Sequence, residues 1–275
     1  MEYKGFETVQ FVDDAEMVKF YQNVDENYFN LKINEYAFVK NPDGDIVDKI
    51  KWTGAKNAPV GFKSIRNEYT GKLSPINPEQ EFAFDMLQDA NTTVKLLTGR
   101  WGSGKTKLMV AHAIQYVMKG KVDKLIWVRN NYETKDTKAI GFLPGEQEQK
   151  LIVWAAPLAD HLGGEYGLRR AIDNRQVEIQ HLGFIRGRDI TNAIVLCSEA
   201  ENLTSAHIAL LLSRIGNNAQ LWLDGDIAQT DHKKFETDSG ICACINKLSG
   251  NPLFGYVELQ KTERSETAEL ATLLT

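Results

Sequence analysis

The chain has 275 residues, 43% of them apolar, and a formal net charge of −5 at pH 7, enough for one full-sized core and a small additional module. It has no run near the ~18 apolar residues of a membrane span, and its acidic start, MEYKGFETVQFVDD, lacks the basic head of a secretory signal, so a cytoplasmic protein is expected. A mildly acidic total neither advertises nor excludes nucleic acid, which a local basic strip can still bind.

Residues 14–21 read as a weak helix. Leu31, Ile33, Ala37 and Val39 then fall at alternating positions, Asn41-Pro42-Asp43-Gly44-Asp45 interrupts, and Ile46, Val47, Ile50 and Trp52 follow, the pattern of a β-hairpin. Residues 54–75 are rich in Gly, Lys, Asn and Pro and read as connecting loops. Residues 1–74 are therefore expected to form a small β-rich accessory segment, and 75–275 the main domain. A helix start is marked at Asn77-Pro78-Glu79-Gln80, with Asn as cap, Pro in the first turn and Gln three residues past the cap; Phe82, Met86 and Leu87 supply its buried stripe. Apolar strands at 94–97, 125–128, 194–197, 221–223 and 256–259 alternate with helices, which predicts an α/β fold with a mainly parallel sheet covered by helices. Cys197 sits in an apolar run, and Cys242 and Cys244 are too closely spaced for zinc, so all three read as reduced packing residues. There is no internal repeat.

Behind the first strand of that domain stands Gly99-Arg100-Trp101-Gly102-Ser103-Gly104-Lys105-Thr106, a full match to the phosphate-cradling loop of P-loop NTPases. Glycines let the backbone curl so that successive N–H groups point inward, and the helix that follows adds its positive end. Lys105 is expected to reach the β- and γ-phosphates, and the Thr106 hydroxyl to take one site on Mg²⁺. The apolar helix Leu108, Val110, Ala113, Ile114 and Val117 completes the strand–loop–helix context.

A second strand in such enzymes ends in carboxylates that hold Mg²⁺ and prepare the attacking water. Here it reads Ile194-Val195-Leu196-Cys197-Ser198-Glu199, which nominates Glu199 as general base and puts Ser198 where an aspartate normally stands, weakening the metal site formed by Thr106, Ser198 and Glu199. A third strand runs into Asp224-Gly225-Asp226-Ile227-Ala228-Gln229, matching the Gly-Asp-x-x-Gln sensor of superfamily-one helicases. Asp226 and Gln229 would feel the γ-phosphate, and Asp226 would recover metal charge missing at Ser198; taken alone, the segment reads more readily as a turn using Gly225 for positive φ, a preference that the loop and Glu199 reverse. Gln80 stands about twenty residues ahead of the loop, where an adenine-reading glutamine is found in helicase-like ATPases; its competing role is to cap its own helix. Arginine candidates for neutralising transition-state charge are Arg264, Arg214, Arg188 and Arg186. The residues after Thr106 suffice for a single sheet, so a neighbouring subunit is the economical source of that arginine, and a homo-oligomeric ring is expected.

Together these residues resemble the PhoH family of bacterial and bacteriophage ATPases, from about Asn77 to the C-terminus. The match includes Val128-Arg129, Gly141-Phe142-Leu143-Pro144-Gly145, Ile185-Arg186-Gly187-Arg188, Glu199-Ala200-x-Asn202-Leu203-Thr204, Arg214-Ile215-Gly216, Gly225-Asp226-x-x-Gln229-x-Asp231 and Glu263-Arg264-Ser265. The resemblance implies a RecA-like, ATP- and Mg²⁺-dependent core that forms ring oligomers such as hexamers, with RNA as substrate and Arg129 among the nucleotide-binding residues. Departures are Ser198 for Asp, Glu201 for Gln and Asn130 for Pro. Residues 1–74 resemble the β segment that precedes the ATPase in nuclease-bearing members, but no acidic nuclease domain is evident, so no nuclease activity is expected. The resulting expectation is an ATPase coupled to RNA or single-stranded nucleic acid, with Lys135, Lys138, Arg186 and Arg188 along a groove or pore. The alternatives are a nucleotide-gated binding module with little hydrolysis and, less favoured, a small-molecule kinase.

Overall fold

The computed structural model describes residues 3–129, 155–230 and 233–263. In chain order it contains β1 (Phe6–Gln10), α1 (Asp14–Gln22), β2 (Tyr36–Lys40), β3 (Ile46–Trp52), β4 (Asn57–Pro59), β5 (Ile65–Asn67), β6 (Gly71–Leu73), α2 (Pro78–Gln88), β7 (Val94–Gly99), α3 (Lys105–Met118), β8 (Lys124–Arg129), α4 (Ala156–His161), α5 (Gly164–Asp173), β9 (Val177–His181), β10 (Ala193–Ser198), α6 (Ser205–Leu212), β11 (Gln220–Gly225), α7 (Lys233–Thr237), α8 (Gly240–Leu248) and β12 (Phe254–Leu259). Among the described residues no helix is long and apolar enough to cross a membrane.

The dominant layer is a six-stranded sheet in the order β12-β7-β11-β10-β8-β9, and every pairing in it is parallel. Parallel strands buried on both faces must be apolar throughout, and β10 (Ala-Ile-Val-Leu-Cys-Ser) is buried at every position. Side chains alternate between two cores. Leu97, Trp127, Leu196 and Trp222 point to the face packed by α2, α3, α4 and α5; Leu96, Val128, Cys197 and Leu223 point to the face packed by α6 and α8.

Residues 36–52 form the expected hairpin, with β2 antiparallel to β3 and the turn closed by Gly44 N–H on Asn41 O at 3.0 Å. Leu31 and Ile33 lie ahead of the strand instead of in it, and β1 joins β2 in parallel. The expected loop region 54–75 holds three three-residue strands, too short to alternate visibly. Asn67 closes the β5–β6 turn by accepting from Tyr69 and Thr70 N–H, a local side-chain device typical of Asn. The helix cap at Asn77 is present, its Oδ1 accepting from Gln80 N–H at 2.9 Å.

A lysine is buried in the core beneath the sheet. Lys95 on β7 is fully enclosed and donates to Leu87 O at 3.0 Å and Asp89 O at 2.8 Å, at the C-terminal end of α2, with the Trp222 ring 5.0 Å away. Burial pulls its ammonium down to about 7, against some support from Asp89. Between that value and the ordinary 10.5, the unfolded chain binds one more proton than the folded one, so stability rises with pH across the window. We expect the stability of the wild type minus that of Lys95→Met to rise by up to about 1.4 kcal/mol per pH unit between pH ~7 and ~10, and to be flat below. Urea titrations of the two proteins at several pH values measure it; a difference flat across the whole range would mean that Lys95 stays charged in the core.

Candidate nucleotide-binding site

The chain leaves β7 across one face of the sheet, through α3, whose Leu108, Val110 and Ile114 belong to that face's core. It leaves β11 across the other, through α8, whose Ile241 and Cys244 belong to the opposite core. Adjacent strands with connections departing to opposite faces open a crevice at their C-terminal ends, where open α/β sheets bind ligands. The loop 99–104 lies in that crevice.

Gly102 and Gly104 have φ of 79° and 92°, left-handed values that a side chain would resist, and Gly104 is the N-cap of α3 without a capping side chain. The helix N-terminus thus keeps amide donors for an anion. Lys105 Nζ donates to Gly99 O at 2.6 Å and Arg100 O at 3.0 Å, which folds the ammonium back over the loop. Ser103 Oγ is buried with no hydrogen-bond partner. A cavity of about 370 Å³ opens here, lined among others by Gln80, Gly102, Lys105, Thr106, His161 and Glu263. A larger one, about 760 Å³, lies along the C-terminal half of α3 against β3 and β4 and touches no residue of the loop.

Neighbouring strand ends bring further groups to the same edge. Ser198 pairs in register with Arg129, and both follow in alternation from Leu196 and Trp127 of the α3-side core. Glu199, just past β10, adopts φ 56°, a left-handed conformation costing about 1–2 kcal/mol for a residue with a Cβ. Its N–H is held by Asp224 Oδ1 at 3.1 Å, and its carboxylate takes both arms of Arg129, Nε at 2.9 Å and Nη2 in an ion pair. The nominated base is therefore aimed by its strand-end backbone and clamped by a guanidinium.

Gly225 does not use positive φ; it is needed because a Cβ there would meet Glu201 Oε2 at 2.7 Å and Ile241 Cδ1 at 2.5 Å. That close approach lets Glu201 accept from Asp226 N–H at 3.1 Å. Burial, then the charges of Asp224 and Glu199, push the Glu201 carboxyl up to about 8. Asp226 Oδ1 accepts from Ala228 N–H at 3.1 Å, while Asp226 Oδ2 and Asp224 Oδ2 are buried without a hydrogen-bond partner. Desolvated carboxylate oxygens of this kind suit a cation. Among the described residues no three His, Cys, Asp or Glu side chains converge on one point, so a divalent ion here would complete its shell with Thr106, water and phosphate, the habit of Mg²⁺.

Gln80 lies against the loop, its Nε2 donating to Ser103 O at 3.3 Å and its Oε1 accepting from Ile76 N–H at 3.2 Å. Arg100 is exposed, Trp101 half-buried and Gln229 exposed, the last with its N–H on Asp226 O. Of the arginine candidates, Arg188 pairs with Glu178 at 2.7 Å, Arg186 is exposed, Arg214 has a buried Nε without a partner, and Arg264 lies outside the described residues. So do Asn130, Lys135, Lys138, the Gly141–Gly145 block, Asp231 and Ser265. Three groups at the site had no role in the sequence reading: Asp224, quoted there only as part of its segment, His161, and Glu263, which donates its N–H to Gly102 O at 3.0 Å and accepts from Asn77 Nδ2 at 2.9 Å. Asp224 carried a signal, a carboxylate ending an apolar strand; His161 carried none.

A family model described as PhoH-like protein matches residues 72–272. Protein PhoH2 of Bacillus subtilis is 31% identical over 258 residues, covering 87% of this chain and 57% of that protein. Protein PhoH2 of Thermobispora bispora is 32% identical over 197 residues, 70% of this chain and 45% of that protein, and Protein PhoH of Escherichia coli 31% identical over 173 residues, 60% and 48%. The chain spans about half the length of the curated relatives it matches.

Gly225→Ala is expected to cost about 1–3 kcal/mol, the usual penalty of forcing volume into a packed site, because both Glu201 and Ile241 must move. Chemical denaturation measures the loss, and a variant as stable as the wild type would show that the Glu201 contact is loose.

Proposed function

The chain belongs to the PhoH-like family of P-loop NTPases, and from that premise we propose that it is a Mg²⁺-dependent ATPase working as a homo-oligomer on RNA or single-stranded nucleic acid. The observation that carries the ATPase reading is the position of Lys105, folded over a loop of left-handed glycines at the head of α3, with Glu199 at the end of β10, across β11 on the same sheet edge. The orphaned Ser103 Oγ and the two bare aspartate oxygens fit a triphosphate with its cation. Bound Mg²⁺ would neutralise charge developing on the phosphate oxygens.

The chain's own residues would divide the work. The loop amides and Lys105 bind and orient the phosphates, and Thr106 supplies a hydroxyl to the cation. Glu199 takes a proton from water. Arg129 clamps that carboxylate; a phosphate at the loop would compete for the same guanidinium and so free an oxygen for base work. Gln80, within reach of the loop, would exchange its bond to Ser103 O for adenine, and Asp226 and Gln229 would register the γ-phosphate. Arg264 or Arg214 of a neighbouring subunit would complete the site, with Arg186 and Arg188 offering phosphate contacts to the nucleic acid. The site of action is the cytoplasm, that of the host if a phage encodes the chain. A second reading, a nucleotide-gated oligomer with little turnover, draws support from Ser198 and from the Arg129 clamp on Glu199.

Phosphate release measured across a Mg²⁺ series tests this. Glu199→Gln is expected to lower kcat about 10²–10⁴-fold with nucleotide still bound, and Lys105→Ala to lose both binding and turnover. Tight ATP binding without turnover at any Mg²⁺ concentration would instead select the gated module. Single-stranded RNA is expected to raise the rate, with the effect fading between about 50 and 200 mM salt; no response to any polynucleotide at low salt would remove nucleic acid from the proposal.

A further inference from the structure

P-loop NTPases share their divalent cation between the loop hydroxyl and an aspartate on a second strand. Here that strand, β10, ends in Ser198, whose neutral hydroxyl attracts Mg²⁺ far less than a carboxylate does. The missing charge is present on the adjacent strand. Asp224 lies on β11 one rung past the Cys197–Leu223 pair, and so stands beside Ser198. It also shares Ser198's face, since Trp222 and Leu196, two residues before each, both belong to the α3-side core.

The state of that side chain points to a ligand. Asp224 is 2% exposed. Its Oδ1 accepts from Glu199 N–H, while its Oδ2 is buried with no hydrogen-bond partner. Taking an ionised oxygen out of water without a donor is costly, and a cation is the group that offsets such a cost. The carboxylate stands at the loop's end of the sheet: Asp224 is the register partner of Leu97, two residues before Gly99, and nearby His161, on which its charge acts against the larger effect of burial, lines the cavity together with Lys105 and Thr106.

Resting on the ATPase reading, we propose that the metal-holding carboxylate of this site has moved sideways by one strand, so that Asp224 on β11, with Thr106, serves the divalent cation that Ser198 on β10 serves poorly. Asp226, the residue the sequence pattern suggests for this task, also has a bare Oδ2, but it lies beyond β11, its Oδ1 is committed to Ala228 N–H and its backbone is tied to Glu201. Of the two aspartates, Asp224 is the one on the rung beside Ser198, whose other neighbour is Arg129. The same side chain therefore does two things: Oδ1 fixes the backbone of Glu199, and Oδ2 meets the ion.

The test is the gain in affinity that Mg²⁺ confers on a fluorescent non-hydrolysable ATP analogue, taken as the ratio of Kd in EDTA to Kd in MgCl₂. Asp224→Asn keeps an oxygen for Glu199 N–H and removes only the charge, so a purely positioning role would leave the ratio intact. We expect the ratio to fall roughly 10- to 100-fold, with binding in EDTA equal or tighter because a negative charge has left the phosphate's surroundings. Adding Ser198→Asp to Asp224→Asn returns the charge to β10 and is expected to restore the ratio. An undiminished ratio in Asp224→Asn, or a loss confined to Asp226→Asn, overturns the inference while leaving the ATPase reading standing. Failure of the wild type to bind the analogue in either buffer overturns the ATPase reading, and this inference with it.

Discussion

The chemistry of this molecule depends on the in-register parallel pairing of β7, β11, β10 and β8. Parallel strands end on the same edge, so the loop after β7, Asp224 on β11, Ser198 and Glu199 on β10 and Arg129 on β8 arrive together although they are scattered along the sequence. A slip of one residue would turn every side chain to the other face. Asp224 and Ser198 would then point into the core of α6 and α8, where Leu223 and Cys197 now sit, and Arg129 would leave Glu199. The unbroken apolar runs of these strands therefore fix the positions of the charges at their ends.

That edge is assembled against local preference. Glu199 sits in a left-handed conformation, Glu201 is held above its ordinary range by burial and by neighbouring carboxylates, and two aspartate oxygens lack donors. Each feature opposes folding, and the two large apolar cores offset it. A ligand that binds only the folded state returns stability by mass action. On the proposed ATPase reading, the cation would relieve the two aspartate oxygens, while the Glu199 backbone would keep its strain.

The strands at 94–97, 125–128, 194–197, 221–223 and 256–259 were legible because burial on both faces leaves continuous apolar runs. The helix at Asn77 was legible because its cap is local chemistry. β1 and β9 were not, since Phe-Glu-Thr-Val-Gln and Val-Glu-Ile-Gln-His mix polar residues into half-exposed strands. At the site, the loop and Glu199 stood out because their residue types recur at short spacing. The role of Asp224 was hidden because it depends on which strands are neighbours, and spacing along the chain does not encode that. The need for glycine at position 225 was hidden for a related reason: it comes not from positive φ, the competing turn reading, but from Glu201 and Ile241, distant partners that close around it only in the folded sheet.

Helix α2 links the N-terminal strands to the loop. On one side its Phe82 ring lies 4.8 Å from Tyr36 and 4.6 Å from Phe38, and its Asp85 accepts from Tyr36 Oη and pairs with Lys51 at 2.8 Å. On the other side, its first turn places Gln80 on Ser103 O and its cap residue Asn77 on Glu263, which in turn holds Gly102 O. These contacts are short and mostly buried, so a shift of α2 large enough to open one set would strain the other in a close-packed interior. The β-rich segment thereby sets the position of the helix from which Gln80 reaches the loop, and a ligand that drew Gln80 away from Ser103 would be felt, through the same rigid helix, at Tyr36 and Lys51.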